Sequence, residues 1–139
     1  MADKLIIDWK QYNLIVEKLA VQIYKSGFKP DMLIGIMRGG APIIDVLSRV
    51  FKLKCAYLAV ESYSGEGTED QQGELVFSRE MSSTVQEMKG NLLLCDDLSD
   101  TGVTLNKSID WLRKYPPLQG NIKDIKTAVL WKKKDSTFE

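Results

Sequence analysis

The stretch Asn91-Leu-Leu-Leu-Cys-Asp-Asp-Leu-Ser-Asp-Thr-Gly-Val-Thr104 constrains this chain more than any other. A short apolar run leads into Asp96 and Asp97, then a third acid, Asp100, and then Thr101-Gly102-Val103-Thr104, which can open a helix. That order predicts a buried strand that delivers a polar loop at its carboxyl end. Hydroxyls and backbone N–H groups at a helix start can hold a phosphate, while adjacent carboxylates need hydroxyl donors or a divalent cation. A sugar phosphate meets both demands. Without a ligand, Asp96 and Asp97 read as turn residues, and Asp100 or Thr101 as an ordinary N-cap. The stretch is not a Walker loop, since no Gly-Lys-Ser/Thr occurs.

The rest of the chain supplies a scaffold for such a loop. Leu5-Ile6-Ile7 reads as a short strand, and Asp8 with Gln11 forms a capping-box start. The spacing of Tyr12, Val16, Leu19 and Ile23 predicts a helix from Trp9 to about Ser26, ended by Gly27. Met32 to Ile36 reads as a buried strand broken by Met37-Arg38-Gly39-Gly40, and Pro42 opens a helix carrying Ile43, Val46, Leu47, Val50 and Phe51 inward. Ala56 to Val60 is the next strand, reaching Glu61-Ser62-Tyr63. After the motif come a helix from about Thr101 to Tyr115, closed by Pro116-Pro117, and a last strand from Lys126 to Trp131.

Strands alternating with helices predict an α/β fold with a doubly wound, mainly parallel sheet flanked by helices. The loops after Ile36, Val60, Cys95 and Trp131 then share the carboxyl edge, where ligands bind. Residues 64–80 break the pattern with glycines, glutamines and acids, interrupted by Leu75-Val76-Phe77. They read either as a flexible loop over a site or as a solvated hairpin without a role.

Composition removes several function classes. At 139 residues the chain has the size of one domain. Lys plus Arg and Asp plus Glu both number 19, so no nucleic-acid surface is expected. Without histidine there is no Ser-His-Asp triad and no His-ligated metal. Cys55 and Cys95 lack metal or disulfide-framework spacing and read as core residues. Neither a membrane span nor a signal peptide is evident, and a cytoplasmic location is expected.

The motif resembles the phosphoribosyl-pyrophosphate (PRPP) motif of the type I phosphoribosyltransferases: four apolar residues, two acids, then Asp-Thr-Gly-x-Thr. Arg38-Gly39-Gly40 after a strand resembles that family's pyrophosphate loop, and Ser62-Tyr63 its Ser-Tyr pair at the base of a flexible loop. Ile7-Asp8-Trp9 and Lys18-Leu19-Ala20 are similar to bacterial xanthine-guanine (purine) phosphoribosyltransferases. The resemblance implies one domain over residues 1–139 with a flexible loop at about 64–80. It further implies that Asp96 and Asp97 hold the ribose hydroxyls, directly and through Mg²⁺ at Asp97. Ser99, Asp100, Thr101, Gly102, Val103 and Thr104 would surround the 5′-phosphate. Arg38 and Gly39, joined by a cis peptide, would meet pyrophosphate, with Ser62 and Tyr63 completing the PRPP site. Asp100 would be the catalytic proton-transfer residue, and Lys132 would bind the 6-oxo group of the base.

The implied activity is purine salvage: a 6-oxopurine (guanine, xanthine or hypoxanthine) displaces pyrophosphate from PRPP. A homo-oligomer, dimer or tetramer, is expected with it. The family completes its base pocket after the last lysine, whereas this chain stops at Phe138-Glu139. The base-binding part is therefore read as cut short, and a non-catalytic PRPP-binding regulator is the alternative.

Overall fold

A computed structural model describes residues 8–63, 74–85, 87–99 and 102–132, with the backbone alone at 62, 63, 74, 99 and 132. The expected strand at Leu5 to Ile7 lies outside the described residues. Helix α1 spans Trp9–Ser26, as its local signals dictate. Asp8 accepts from the Gln11 N–H at 2.8 Å while its own N–H donates to the Gln11 side chain at 3.2 Å. Gly27 caps the other end. Val16, Leu19, Ala20 and Ile23 turn into the core.

Strand β1 (Met32–Met37) is followed by α2 (Ala41–Phe51) and β2 (Cys55–Tyr63). Two antiparallel strands, β3 (Glu74–Phe77) and β4 (Ser82–Ser83), both pair with β2. Then come β5 (Gly90–Ser99), α3 (Val103–Lys114) and β6 (Ile122–Lys132). The sheet order is β3-β2-β1-β5-β6, with β1, β2, β5 and β6 parallel. The chain winds outward from β1 in one direction and from β5 in the other, so β1 and β5 flank the switch point.

Successive side chains of a strand face opposite sides, and the two cores follow that alternation. Met32, Ile34, Ile36, Leu92 and Leu94 pack with Leu105 and Leu112 of α3. Leu33, Leu93 and Cys95 pack with α1 and α2. Leu112 is wholly buried. Leu112→Ala is expected to cost roughly 3 kcal/mol, seen as a lower urea midpoint with an unchanged slope.

Several sequence readings change in three dimensions. On α2 the buried residues are Ile43, Ile44 and Leu47, while Val50 is 56% exposed. Room for Ile44 comes from Gly35 of β1: a Cβ there would lie 2.7 Å from Ile44 Cδ1, so its absence admits Ile44 to the sheet. Strand β5 continues past Cys95, and Asp96 to Ser99, read as a loop, are strand. Pairing of β5 with β1 ends at Cys95, but β6 continues beside it as far as Lys132. Helix α3 starts at Val103 instead of Thr101, because the chain at Gly102 has φ 84° and caps it there. Among the described residues no helix is long and apolar enough to cross a membrane.

Candidate functional site

The parallel strands place the ends of β1, β2, β5 and β6 along one edge of the sheet. The turn after β1 is tight. The Gly40 N–H donates to the Ile36 carbonyl at 2.7 Å, and the Ala41 N–H to the Arg38 carbonyl at 3.2 Å. The resemblance implied a cis peptide between Arg38 and Gly39. It lies one bond earlier, between Met37 and Arg38, where strand hydrogen bonding stops and the chain begins to turn back.

Gly39 and Gly40 are required by close approach. A Cβ on Gly39 would fall within 3 Å of the Asp97 carboxylate, and one on Gly40 within 3 Å of the Cys95 carbonyl and both backbone atoms of Ile36. The turn after β1 is thus pressed directly against the acidic end of β5. Arg38 makes no ion pair among the described residues, so its charge remains available to an anion.

Asp96 and Asp97 leave opposite faces of β5, as adjacent strand residues must. The Asp97 N–H donates to Asp96 Oδ1 at 2.8 Å. Burial above all, and then the Asp97 carboxyl beside it, push Asp96 from 3.8 up to about 7, against the lowering effect of that backbone hydrogen bond. A carboxyl held this far from its ordinary range is placed at a cost, as functional carboxyls commonly are. Burial likewise raises the Cys95 thiol well above the usual range, which makes it an inert core residue.

The other expected site residues fall on the same edge. Ser62 and Tyr63 end β2, where they pair with Leu75 and Glu74 of β3. Residues 64–73, the larger part of the expected loop, lie outside the described residues, whereas Leu75 to Phe77 form the expected short strand. Ser99 pairs with Lys132, so the lysine expected to recognise the base runs beside the motif within β6, not beyond it. Gly102, Val103 and Thr104 form the buried cap and first turn of α3, and the cap carries no side-chain hydrogen bond. Asp100 and Thr101 lie outside the described residues.

Two neighbourhoods were not foreseen. Tyr12 of α1, assigned only to the core, has its hydroxyl pKa raised by burial and by the negative charge of Asp97. A groove of about 580 Å³ beside Arg38 is lined by Met37, Glu61, Val76 and Ser78 among others. Glu61 gave a signal by preceding Ser62-Tyr63; Ser78 gave none, because only the hairpin brings it there.

A comparison with curated protein sequences gives no match. Among solved structures, the chain is similar to a purine phosphoribosyltransferase from Pyrococcus horikoshii, with 26% identity, TM-score 0.76, and coverage of 99% of this chain and 84% of that one. It is also similar to a xanthine-guanine-hypoxanthine phosphoribosyltransferase from Helicobacter pylori, with 19% identity, TM-score 0.74, and coverage of 95% and 80%. An orotate phosphoribosyltransferase from Aeropyrum pernix matches at 20% identity and TM-score 0.63, covering 93% of this chain and 63% of that one. These last two likenesses concern the fold alone, and they show it in proteins named for different bases. The family profile of the phosphoribosyl transferase domain matches residues 5–139. With Gly39 of the turn after β1 packed on Asp97 of the motif, the chain belongs to the phosphoribosyl transferase domain family and is an enzyme of the glycosyltransferase class.

Proposed function

We propose that this protein transfers the 5-phosphoribosyl group of PRPP to a 6-oxopurine (guanine, xanthine or hypoxanthine) in purine salvage, releasing pyrophosphate. The observation that carries this reading is the contact of Gly39 with the Asp97 carboxylate, which joins the anion-binding turn to the sugar-binding acids. The structural likeness to a purine phosphoribosyltransferase supports the choice of base class.

In this reading Asp96 accepts hydrogen bonds from the ribose hydroxyls, and Ser99 to Thr104 hold the 5′-phosphate at the start of α3. Arg38 and the turn at Gly39 hold the diphosphate, with Ser62 and Tyr63 beside it. As the leaving group departs, positive charge develops on the ribose, and Asp96 and Asp97 stabilise it. Asp100 moves the proton at the purine N7, and Lys132 donates to the 6-oxo group.

The donor set suits Mg²⁺. Among the described residues no group of three or more His, Cys, Asp or Glu side chains could hold a metal. A cation held by Asp97 and, for the rest, by substrate oxygens and water is the usual manner of Mg²⁺. Asp97 would hold the ion there, and its charge would supply neutralisation of the diphosphate. The protein is further proposed to act as a cytoplasmic homo-oligomer, dimer or tetramer, of a single domain.

Incubation with PRPP, Mg²⁺ and a panel of nucleobases, read by mass spectrometry, is expected to give a nucleoside monophosphate from at least one 6-oxopurine. PRPP binding by calorimetry with no turnover of any base would sink the proposal and leave a PRPP-binding regulator. Asp100→Asn is expected to lower turnover on the order of 100-fold or more with PRPP affinity retained, the usual range for a lost acid–base group. Unchanged turnover would remove Asp100 from the mechanism.

A further inference from the structure

We propose that a cavity at the amino edge of the sheet, at the far end of β1 from the turn at Arg38, is a second binding site that takes a mononucleotide. Aromatic side chains would hold the base there, and Lys25 and Lys29 the phosphate.

The cavity measures about 600 Å³, within the range of small-molecule sites, and lies where α1 leads into β1 and α2 into β2. Tyr24, Phe28, Phe51 and Leu53 line it together with Lys25 and Lys29. Strand β1 runs from Met32 to Met37, so roughly 17 Å of strand separates this cavity from the turn that follows. A ligand here does not compete for the catalytic edge.

The walls are held in place by the protein itself. The Phe28 N–H donates to Ser26 Oγ at 3.1 Å, and the Lys29 carbonyl accepts from the Asn91 side chain at 3.2 Å. At the end of α2 the Leu53 N–H donates to the Ser48 carbonyl at 3.0 Å, and Lys52 turns the chain at φ 55°. Gly27 leaves open space, since a Cβ there would meet nothing within 4 Å. A cavity formed in advance lowers the ordering cost of binding.

Two features select the ligand. The first is unused ring surface. Phe77, Trp111 and Tyr115 stack on one another, whereas Tyr24, Phe28 and Phe51 stack on no other ring among the described residues. Tyr24 is 79% exposed, and Phe28, Phe51 and Leu53 are only partly buried. Apolar side chains left open around a concavity suit a planar ring. The second is unpaired positive charge. Neither Lys25 nor Lys29 forms an ion pair, and no acid lines the cavity, among the described residues. Lys126 of β6 adds a third ammonium, 5.7 Å from the centre of the Phe28 ring. Aromatic surface beside ammonium groups fits a base that carries a phosphate. A nucleic-acid strand shares that chemistry, but the chain balances 19 basic against 19 acidic residues and has no excess charge to attract a polyanion. A single nucleotide is the ligand that both features favour.

Amide NMR of the full chain, titrated with guanosine monophosphate, tests this. The signals of Gly27, Phe28 and Lys29 are expected to shift along a binding curve separate from that of Gly39 and Gly40 at the catalytic edge. Guanosine and inorganic phosphate each carry half of the ligand and should bind the amino edge at least ten-fold more weakly. Lys25→Gln combined with Lys29→Gln is expected to weaken the amino-edge curve about ten-fold, and Tyr24→Ala about five-fold. Both variants should keep the Gly39 and Gly40 curve and the melting temperature of the parent, as exposed substitutions commonly do. Shifts confined to Gly39 and Gly40 would remove the second site and leave the phosphoribosyltransferase reading standing. Parent-like affinity in the double lysine variant would overturn the placement of the phosphate. Tighter binding of a short single-stranded oligonucleotide than of the monophosphate would overturn the choice of a mononucleotide.

Discussion

Gly40→Ala is expected to lose on the order of 3 kcal/mol of stability, a fall in melting temperature of roughly 10 °C, because overpacking here has no soft direction. The added Cβ would lie 2.7 Å from the Ile36 nitrogen and 2.8 Å from its oxygen, and closer still to the Cys95 carbonyl. All three atoms belong to β1 and β5, the adjacent strands at the switch point, so relief requires spreading the sheet. Gly39→Ala is the informative companion. Its Cβ would meet the Asp97 side chain, which can rotate away, so melting should change little while PRPP affinity falls about ten-fold or more. Thermal melting beside PRPP calorimetry for both variants separates the two roles. Equal melting temperatures for Gly40→Ala and the parent would show that the turn does not need its present path.

Asp96→Asn should trade function for stability. The folded-state pKa of Asp96 is raised from 3.8 to about 7, so the native protein holds its proton more tightly than the unfolded chain. For such a group the stabilising effect is complete below the unfolded value and is lost as pH rises through the folded one. The parent protein therefore carries the full cost of a buried carboxylate above about pH 7 and none of it below pH 3.8. In chelator, without substrate, Asp96→Asn is expected to melt higher than the parent at pH 8, and the advantage should shrink steadily toward pH 4. The same variant should lose ten-fold or more in PRPP affinity, since a neutral amide replaces a charged acceptor. An unchanged or lower melting temperature at pH 8 would mean that Asp96 sits there at no cost.

What could be read before the structure was what local chemistry controls. The bounds of α1 follow from the Asp8–Gln11 box and Gly27, within one stretch of chain. The four parallel strands were each located, since runs such as Met32 to Ile36 are buried on both faces. Misreadings arose where a distant partner decides. Asp96 to Ser99 look like a loop because they are polar, yet β6 pairs them into the sheet. Ile44, not among the residues expected inward on α2, is buried because Gly35, on another element, leaves it room. Asp100 and Lys132 were named from the motif and the resemblance alone, and the structure describes only the Lys132 backbone of the two.

The sequence by itself determined the order of strands and helices, the caps, and the chemical inventory of the motif: three acids, a glycine and hydroxyls at a helix start. Those depend on neighbours within a few residues, which periodicity and capping rules can read. The tertiary structure alone decided that β1 lies beside β5, that Gly39 touches Asp97, and that Ser78 reaches the groove of Arg38. Such contacts join residues far apart along the chain, and they exist only once both cores have packed against the sheet and aligned its strand ends.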